Sequence, residues 1–459
     1  MNRVKDYLVP ALVSVALLAS WASASAAPVI SSDNVSVKVL DNGLRVVVKE
    51  ENTWPIVSMG MYIKAGSLHE SDADAGAAHM VEHLLFEAEP VEGEGKVAEY
   101  IEGIGGRINA FTGRDFTHVD VTVASQYVET ALQSLVETVL GAQFDDEVVV
   151  REQMVVLREI ADRSSNSSLD MGTVLWGLAY PDHPYGRPIG GTADQVRKLT
   201  VDAIRGFYNR FYVPNNMTLV AAGRLDADWL FERVERLTRD RQAGTVQWAS
   251  PAPAAPLPGI QRDIATRDSE IAAVVFGWRA PGISDTRDVC ATDLIYTLLG
   301  QGATGRLHKR LVEQDKLAAG VDILYLTQKE PGLFILTVAI LEKNELVVRK
   351  AVLEEIKRLV TEKVPEDELA RAKRLLRTEY AFSNESYAGQ VGSLGFYDAI
   401  DTYEFAIDYI DQINAVTVDD IQRVAARIFD TDGYAMVIRR RDKDVPPGQE
   451  VRLHCPNAS

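Results

Sequence analysis

A short segment that occurs twice constrains the fold more than any other feature of this chain. Thr200-Val201-Asp202-Ala203-Ile204 recurs, 217 residues further along, as Thr417-Val418-Asp419-Asp420-Ile421. Each copy begins a predicted helix, and each helix leads to a predicted strand, at 217–223 and at 434–439. The common order of elements at one fixed offset predicts two copies of a single α+β unit.

A proline- and alanine-rich segment, from Ser250 to Pro258, separates the two copies. This composition favours a stiff, extended chain over a packed element. Some 430 residues would remain after removal of an export signal, which suits two domains of about 200 residues each. We therefore predict a signal peptide at 1–26, an N-terminal domain at 33–243, a linker at 244–258 and a C-terminal domain at 259–459.

His79-Met80-Val81-Glu82-His83 has the H-x-x-E-H form, the inverse of the H-E-x-x-H signature of zinc proteases. On a helix the two histidines are four residues apart, so both imidazoles project from one face and can share a tetrahedral Zn²⁺. Glu82 lies beside them, where it can reach a water on the metal without being a ligand. Because the chain holds only seven histidines, a chance pair of solvent-facing helix histidines is the weaker interpretation.

A catalytic zinc site needs a third protein ligand and keeps its fourth position for water. The best source is the segment 145–162, which begins with acidic residues as helices do. Within it, Glu152 and Glu159 are seven residues apart, hence two turns apart on nearly the same face. The predicted apolar stripe of this helix consists of Val149, Met154, Val156 and Ile160.

With these motifs the chain resembles the pitrilysin/insulinase family of zinc metallopeptidases, the inverzincins, which includes the mitochondrial processing peptidase with its beta subunit and bacterial two-domain homologues. In that family the third ligand is a glutamate about seventy-five residues beyond the second histidine, in an E-x₆-E helix. The resemblance implies that His79, His83 and Glu159 hold one Zn²⁺ per chain and that Glu152 is a companion carboxylate of the catalytic set. It also implies an α+β fold of two homologous domains, each a mainly antiparallel sheet covered by helices.

The segment Gly105 to Thr112 resembles the edge strand of the family, with its G-G-x-x-N-A signature. The unpaired N–H and C=O groups of such an edge can add a substrate peptide as an extra strand. The resemblance therefore implies that Asn109, Ala110 and Phe111 bind substrate, although Asn109 could simply cap or bend a strand. His183, in a loop that also matches the family, is a rival third ligand, but its spacing fits worse.

The second copy has lost the metal chemistry, since its helical segment 288–300 contains no histidine. The family's second domain usually carries an arginine and a tyrosine seven residues apart, which bind the substrate backbone and stabilise the oxyanion. In the matching segment of this chain, Val312 and Ala319 stand at those two positions. Either Arg310 and Tyr325 substitute for the pair, or a homologous subunit supplies it. We expect a heterodimer, with a homodimer as the alternative.

The resemblance implies a zinc-dependent endopeptidase that acts on unfolded peptides or short exposed segments. Zinc would lower the pKa of its water toward about 7, and Glu82 would take the proton and deliver it to the leaving amine. A catalytically silent structural subunit is a second hypothesis, which the intact motif disfavours. A zinc-storage or peptide-binding protein is a third, for which Glu82 would be superfluous.

The net charge of −18 argues against nucleic acids and anionic lipid surfaces as partners. It would favour basic peptides if part of the charge lines the cleft, although an acidic soluble surface is the simpler explanation. The two cysteines, Cys290 and Cys455, lie far apart, and no disulfide framework or metal cluster follows from them. Cys290 falls in an apolar helical run typical of a core.

The first residues have the pattern of an export signal. Arg3 and Lys5 precede an apolar run at 8–18, and Ala24-Ser25-Ala26 is an A-x-A cleavage site. The apolar run is too short to span a bilayer comfortably. The pattern predicts a bacterial periplasmic or secreted protein whose mature chain starts at Ala27, with an uncleaved anchor as the alternative.

Overall fold

A computed structural model describes residues 29–87, 95–165, 167–248, 251–267, 272–340 and 345–441. The predicted signal peptide, residues 249–250 at the start of the Pro/Ala segment, and Cys455 lie outside the described residues. Within these ranges every helix is too short or too polar to traverse a lipid bilayer.

The first half of the chain forms a six-stranded sheet. Its strands are β1 (Val35–Val39), β2 (Arg45–Glu50), β3 (Ile56–Ile63), β4 (Arg107–Thr112), β5 (Thr117–Ala124) and β6 (Met217–Gly223). They lie in the order β1-β2-β6-β3-β5-β4, so β4 is an edge strand, as the resemblance to the family implies. All neighbours are antiparallel except β2 and β6, which are parallel.

The second half forms a five-stranded sheet with the same plan. Its strands are β7 (Gln261–Arg267), β8 (Ala272–Ala280), β9 (Ala318–Leu326), β10 (Gly332–Ile340) and β11 (Ala435–Arg441). The order β7-β11-β8-β10-β9 repeats that of the first sheet without β1, and the parallel pair, β7 with β11, falls at the equivalent place. This correspondence confirms the predicted α+β fold of two related domains, each built on a mainly antiparallel sheet.

Helices cover the first sheet, and most of the apolar core of this half lies between them and the strands. The Thr200 hydroxyl accepts a hydrogen bond from the Ala203 N–H and caps one of these helices, the one that begins in the repeated segment. The helices are α1 (Ala77–Leu85), α2 (Val97–Gly103), α3 (Val128–Leu140), α4 (Asp146–Ser165), α5 (Ser167–Ala179), α6 (Ala193–Lys198), α7 (Val201–Phe211) and α8 (Ala227–Thr238).

The helices of the second half pack around a larger core that includes Cys290, which is fully buried and unpaired. Thr417 caps the second copy of the repeated helix as Thr200 caps the first, with a bond from the Asp420 N–H. A π-helical turn at 309–314 follows a short helix at 306–308. The helices are α9 (Thr286–Gly300), α10 (Arg306–His308), α11 (Glu345–Thr361), α12 (Glu366–Ser383), α13 (Tyr387–Ile400), α14 (Glu404–Ala415) and α15 (Val418–Ile428).

Each half covers one face of the other's sheet with a helix. From the first half, α5 packs on β8 and β11, where Trp176 joins a small core with Val275 and Val437. From the second half, α13 packs on β3 and β6. Its Asp398 is almost fully buried and accepts a hydrogen bond of 2.6 Å from the Thr218 hydroxyl. The exchanged helices fix the two sheets relative to each other and leave a cleft that both halves line.

Asp398 also faces cations from the first half. Its carboxylate lies 3.4 Å from the Lys64 ammonium and 3.6 Å from a guanidinium nitrogen of Arg45. An ionised carboxylate that is buried needs such partners, because an unpaired charge in the interior is costly. The second half is therefore joined to the first by charge as well as by apolar packing.

The apolar stripe predicted for the buried face of α4 is wrong at Met154. Met154 is 63% exposed, whereas Val149 and Val156 are fully buried. The inner face of α4 instead runs through Val149, Glu152 and Val156 and continues to Glu159, since residues three, four and seven apart share one side of a helix. The apolar and the acidic side chains of α4 therefore point toward the same part of the first domain.

Candidate active site

The helix α1 has one buried face and one face toward the cleft. Its six small or apolar side chains are buried: Ala77, Ala78, Met80, Val81, Leu84 and Leu85. Burial of these side chains fixes the rotation of the helix about its axis. His79, Glu82 and His83 share the opposite side and remain partly exposed, as their spacing predicts.

A buried glutamate that the sequence reasoning missed holds the first turn of α1. The Glu70 carboxyl group accepts a hydrogen bond of 3.0 Å from the Gly76 N–H and one of 2.8 Å from the Ala78 N–H. Both N–H groups belong to the helix start, where no partner exists within the helix. Glu70 is only 4% exposed, and burial raises its pKa to about 8 against the opposing effect of the two hydrogen bonds. No motif marks it, because a glutamate that caps from outside the helix has no fixed spacing.

The side chains of His79, His83 and Glu159 converge. The Nε2 atoms of His79 and His83 lie 3.7 and 3.5 Å from the same Glu159 oxygen. One potential ligand atom from each residue lies within 4.8 Å of the others. In the described part of the chain, this is the one set of three such residues that could hold a metal ion.

The separations fit a tetrahedral zinc ion. With bonds of about 2.1 Å, neighbouring ligand atoms in such a site lie roughly 3.4 Å apart. The separations of the two histidine nitrogens from the Glu159 oxygen, 3.7 and 3.5 Å, are close to that value. Two imidazoles and a carboxylate are also a donor set that catalytic zinc uses.

Glu152 lies behind the convergent set. One of its oxygens is 3.5 Å from Nδ1 of His83, the nitrogen on the far side of the ring from Glu159. Glu152 is 8% exposed, and its other oxygen lies 3.6 Å from Arg151. A carboxylate in this position can hold the orientation and tautomer of a ligating imidazole. The geometry therefore suits a supporting carboxylate better than a further ligand.

The charges around the three residues act on their protonation. A hydrogen bond with Glu159 raises the pKa of His83, whereas burial lowers the pKa of His79. The same bond with His83 lowers the pKa of Glu159 to about 2, and Arg163, which pairs with Glu159, acts in the same direction. Neutral His79 and ionised Glu159 are the protonation states that bind a metal ion.

Glu82 faces the site but is not in the convergent set. Its Oε2 atom is buried and forms no hydrogen bond with any described residue. A buried carboxylate oxygen without a donor is unusual in a folded protein, and it points to a role other than structural support. Nδ1 of His79 is unpaired in the same way.

The His79 ring rests against the backbone of Gly190. A Cβ atom built on Gly190 would lie 3.1 Å from Nδ1 of His79, closer than side chains normally pack. A larger residue at 190 would therefore displace the ring. The sequence shows only a Gly-Gly pair at 190–191, which by itself indicates a turn.

The predicted substrate strand β4 lies at the sheet edge beside α1. Asn109 and Phe111 are exposed on one face of the strand, and Ala110 between them is half-buried on the other. The backbone groups of β4 that face away from β5 are free of strand partners within the described sheet. Such an edge can accept a further strand.

A cavity of about 550 Å³ opens next to Glu159. Arg163 and Trp176 line it from the first half, and Leu324 and Leu326 of β9 line it from the second. Arg114 also lines it, with its guanidinium 3.6 Å from the centre of the Trp176 ring and a 2.9 Å hydrogen bond to the Tyr185 carbonyl. Both domains therefore shape the space beside the candidate metal centre.

His183 does not join the convergent set. Its Nδ1 accepts a hydrogen bond of 3.1 Å from the Tyr185 N–H, and its ring packs between Tyr180 and Tyr185. Burial lowers its pKa. These contacts give His183 a structural role in its loop.

Neither residue that could replace the missing arginine and tyrosine is free for that role. Arg310 points to α11, where it donates to the Ala351 carbonyl and pairs with Glu354. Tyr325 lines the cleft, but its hydroxyl donates a hydrogen bond of 2.6 Å to the Pro281 carbonyl. Val312 lies in the π-helical turn and Ala319 in β9.

Comparisons with known proteins agree with this geometry. A family model described as insulinase (peptidase family M16) matches residues 45–193, and one described as peptidase M16 inactive domain matches residues 198–376. An uncharacterized zinc protease of Rickettsia felis is 26% identical over 411 residues, which are 89% of this chain and 98% of the relative. One of Mycobacterium tuberculosis is 28% identical over 403 residues, 85% of this chain and 90% of the relative.

Solved structures share the fold. A protease from Helicobacter pylori superposes with a TM-score of 0.82 at 22% identity, over 88% of this chain and 99% of that one. The first half of the periplasmic protease PqqL from Escherichia coli does so with a TM-score of 0.73 at 19% identity, over 90% and 93% of the two chains.

Proposed function

The chain belongs to the insulinase (M16) family of peptidases, and we propose that it is a zinc-dependent endopeptidase that cleaves unfolded peptides or short exposed segments. The observation that carries the proposal is the convergence of His79, His83 and Glu159 beside the unpaired carboxylate oxygen of Glu82. The relatives named zinc proteases support the choice of metal.

In this proposal His79, His83 and Glu159 hold one zinc ion, and Glu152 keeps the His83 ring in place. When bound, the ion would polarise the scissile carbonyl and make a water molecule more acidic. The fit of the ligand separations to a tetrahedral ion supports the assignment.

Glu82 is the proposed general base. Its buried, unpaired oxygen faces the site, so it can accept the proton of the attacking water and return it to the leaving amine. The substrate would lie extended along β4, with Asn109, Ala110 and Phe111 beside it and main-chain hydrogen bonds holding its direction. The cleft between the two domains would limit access to chains without stable tertiary structure.

The test is Glu82→Gln, which keeps the shape of the side chain and removes the base. We expect full zinc content and a rate of peptide cleavage lower by at least ~10²-fold. Glu147→Gln is a charge-matched control, because Glu147 is exposed on α4 away from the site. A silent structural subunit, the alternative function, would show no zinc-dependent cleavage in any assembly. Near-native turnover by Glu82→Gln would reject Glu82 as the base.

We further propose that the active form is a heterodimer with a homologous subunit that carries the missing arginine and tyrosine. Val312 and Ala319 cannot donate hydrogen bonds from their side chains, and Arg310 and Tyr325 are engaged elsewhere. Loss of one oxyanion donor typically lowers kcat by ~10²–10³. A homodimer that relies on main-chain donors or on the displaced residues is the alternative.

Size-exclusion chromatography and activity of the purified chain distinguish the two assemblies. The heterodimer proposal expects a zinc-loaded chain with little activity alone, and cleavage after the homologous subunit is added. Full activity of the isolated chain would refute it.

Export to the periplasm is proposed from the predicted signal at 1–26. A periplasmic protease with the same fold is consistent with that location. Determination of the amino-terminal residue of the protein from the periplasmic fraction tests it, with Ala27 expected.

A further inference from the structure

The second half of the chain contains a pocket of about 260 Å³ lined by tyrosines and two carboxylates. It lies between β9 and the helices α9, α12, α13 and α14. The residues that define this tyrosine pocket are Asp293, Tyr296, Glu379, Tyr380, Tyr397 and Tyr409.

Among the residues that the structure describes, neutral donors alone hold the two carboxylates of the tyrosine pocket. Asp293 accepts a hydrogen bond of 2.7 Å from the Tyr409 hydroxyl. Glu379 accepts from the Tyr296 hydroxyl at 3.4 Å and from the Gln301 amide. Neither forms an ion pair with a described residue, and no arginine or lysine is among the residues lining the pocket. Asp293 and Glu379 are each only partly exposed, and the described residues leave both without a cation as counter-charge.

The pKa of Asp293 is raised, as expected for a carboxyl group with no cation among its described neighbours. Burial raises the pKa of Asp293 to about 7, and the nearby Glu379 adds to the effect. The hydrogen bond from Tyr409 only partly offsets it.

The aromatic rings suit a cation better than an anion or a neutral donor. The rings of Tyr380 and Tyr397 lie 4.8 and 6.4 Å from the Tyr409 ring. The Tyr380 hydroxyl is committed to the Ala406 carbonyl. The pocket is therefore lined by aromatic rings and carboxylate groups, a combination that attracts ammonium and guanidinium groups. Leu324 and Leu376 add apolar surface on which the stem of a lysine or arginine can pack.

A metal ion fits this pocket less well. Three or more metal-ligating side chains converge, among the residues that the structure describes, at His79, His83 and Glu159 and not here. An organic cation on an apolar stem is the chemical class that matches both the rings and the charges.

The tyrosine pocket is continuous with the cleft. A neighbouring cavity of about 440 Å³ shares Asp293 and Tyr409 with it and reaches Phe111 on the edge strand β4. That cavity in turn shares Arg114 and Leu326 with the cavity beside Glu159. A peptide lying along β4 could therefore direct one side chain into the tyrosine pocket.

We propose that the tyrosine pocket is a substrate subsite that binds one lysine or arginine side chain of the peptide, with Asp293 and Glu379 as its counter-charges. The assignment of this pocket to a peptide substrate rests on the proposed peptidase function. The subsite would place part of the negative charge of the chain at a defined point in the cleft.

Peptide binding to the zinc-loaded full chain with Glu82→Gln tests this subsite without requiring cleavage. The probes are fluorescent alanine/serine peptides with one lysine at successive positions, and matched peptides with norleucine, which lacks only the charge. At one position, the lysine peptide should bind at least ~10-fold more tightly than its norleucine match. That ratio should fall toward one when Asp293→Asn or Glu379→Gln is added, and stay unchanged with Asp367→Asn, an exposed carboxylate at the start of α12.

Two results would overturn the subsite: no position at which lysine is preferred, or a preference that survives both Asp293→Asn and Glu379→Gln. The lysine and norleucine comparison needs neither variant, so a folding defect in one of them does not remove the test. Cleavage of peptides without any lysine preference would reject the subsite and leave the peptidase proposal standing. Selective lysine binding by a chain that never cleaves peptides would support the subsite and reject the peptidase proposal.

Discussion

Replacement of Glu70 by alanine should destabilise the protein through the start of the zinc-site helix. The change removes the acceptors of the Gly76 and Ala78 N–H groups, which lie at 3.0 and 2.8 Å from the carboxyl oxygens. Glu70 is 4% exposed, so bulk water cannot readily replace it. A buried donor left without a partner costs about 1–3 kcal/mol, and two of them with partial hydration give ~2–4 kcal/mol.

In a domain of about 200 residues, each kcal/mol shifts the melting temperature by roughly 2–4 °C. At about pH 4, where the raised pKa of Glu70 carries no penalty because the carboxyl is protonated in both states, Glu70→Ala should therefore melt ~5–15 °C lower than the wild type, and amide hydrogen exchange should accelerate first in residues 76–85. Glu70→Gln, which keeps one oxygen acceptor, should fall between the two. Asp72→Ala is the control, because the Asp72 side chain is 97% exposed and its ion pair with Arg187 is 3.8 Å long.

The capping argument would be refuted if Glu70→Ala melted like Asp72→Ala and exchanged no faster in residues 76–85. A fall in melting temperature with uniform exchange across the chain would instead place the defect outside α1. Differential scanning calorimetry and mass-resolved exchange together separate these outcomes.

Two further predictions concern metal binding and pH. His79→Ala or His83→Ala should lower bound zinc well below one per chain by elemental analysis, because each removes one of three convergent donors, and full retention in both variants would reject the ligand assignment. Asp293→Asn should raise the melting temperature at about pH 8 and leave it unchanged near pH 4. Its folded-state pKa of about 7 lies above the unfolded value of 3.8, so the wild type loses stability as the pH rises between the two. An equal effect of Asp293→Asn at both pH values would contradict this account.

Local signals in the sequence predict much of the fold. The repeated Thr-Val-Asp segment predicts two related units, and the two sheets share their strand order and the place of their parallel pair. The resemblance of the Gly-Gly-Arg-Ile-Asn-Ala segment to the family's edge strand implies an edge strand, and β4 is one. Fixed helical spacing predicts that His79 and His83 share one face of α1, whereas only the resemblance to the family implies that Glu159 of α4 joins them.

Contacts between distant parts of the chain could not be predicted. The exchange of α5 and α13 depends on pairs such as Thr218 with Asp398, which are 180 residues apart. Asp293 and Tyr409, which are 116 residues apart, meet in the tyrosine pocket, and no motif marks either of them. Apolar residues crowd both sides of α4, so periodicity alone does not identify its inner side and wrongly predicts Met154 there.

Zinc content and peptide cleavage of the wild type and of Glu82→Gln, each in its most active assembly, test the central claim most directly. The account predicts one zinc per chain in both proteins, cleavage by the wild type that a chelator abolishes, and a rate at least ~10²-fold lower in Glu82→Gln. Cleavage that persists after the metal is removed, or near-native cleavage by Glu82→Gln, would contradict it.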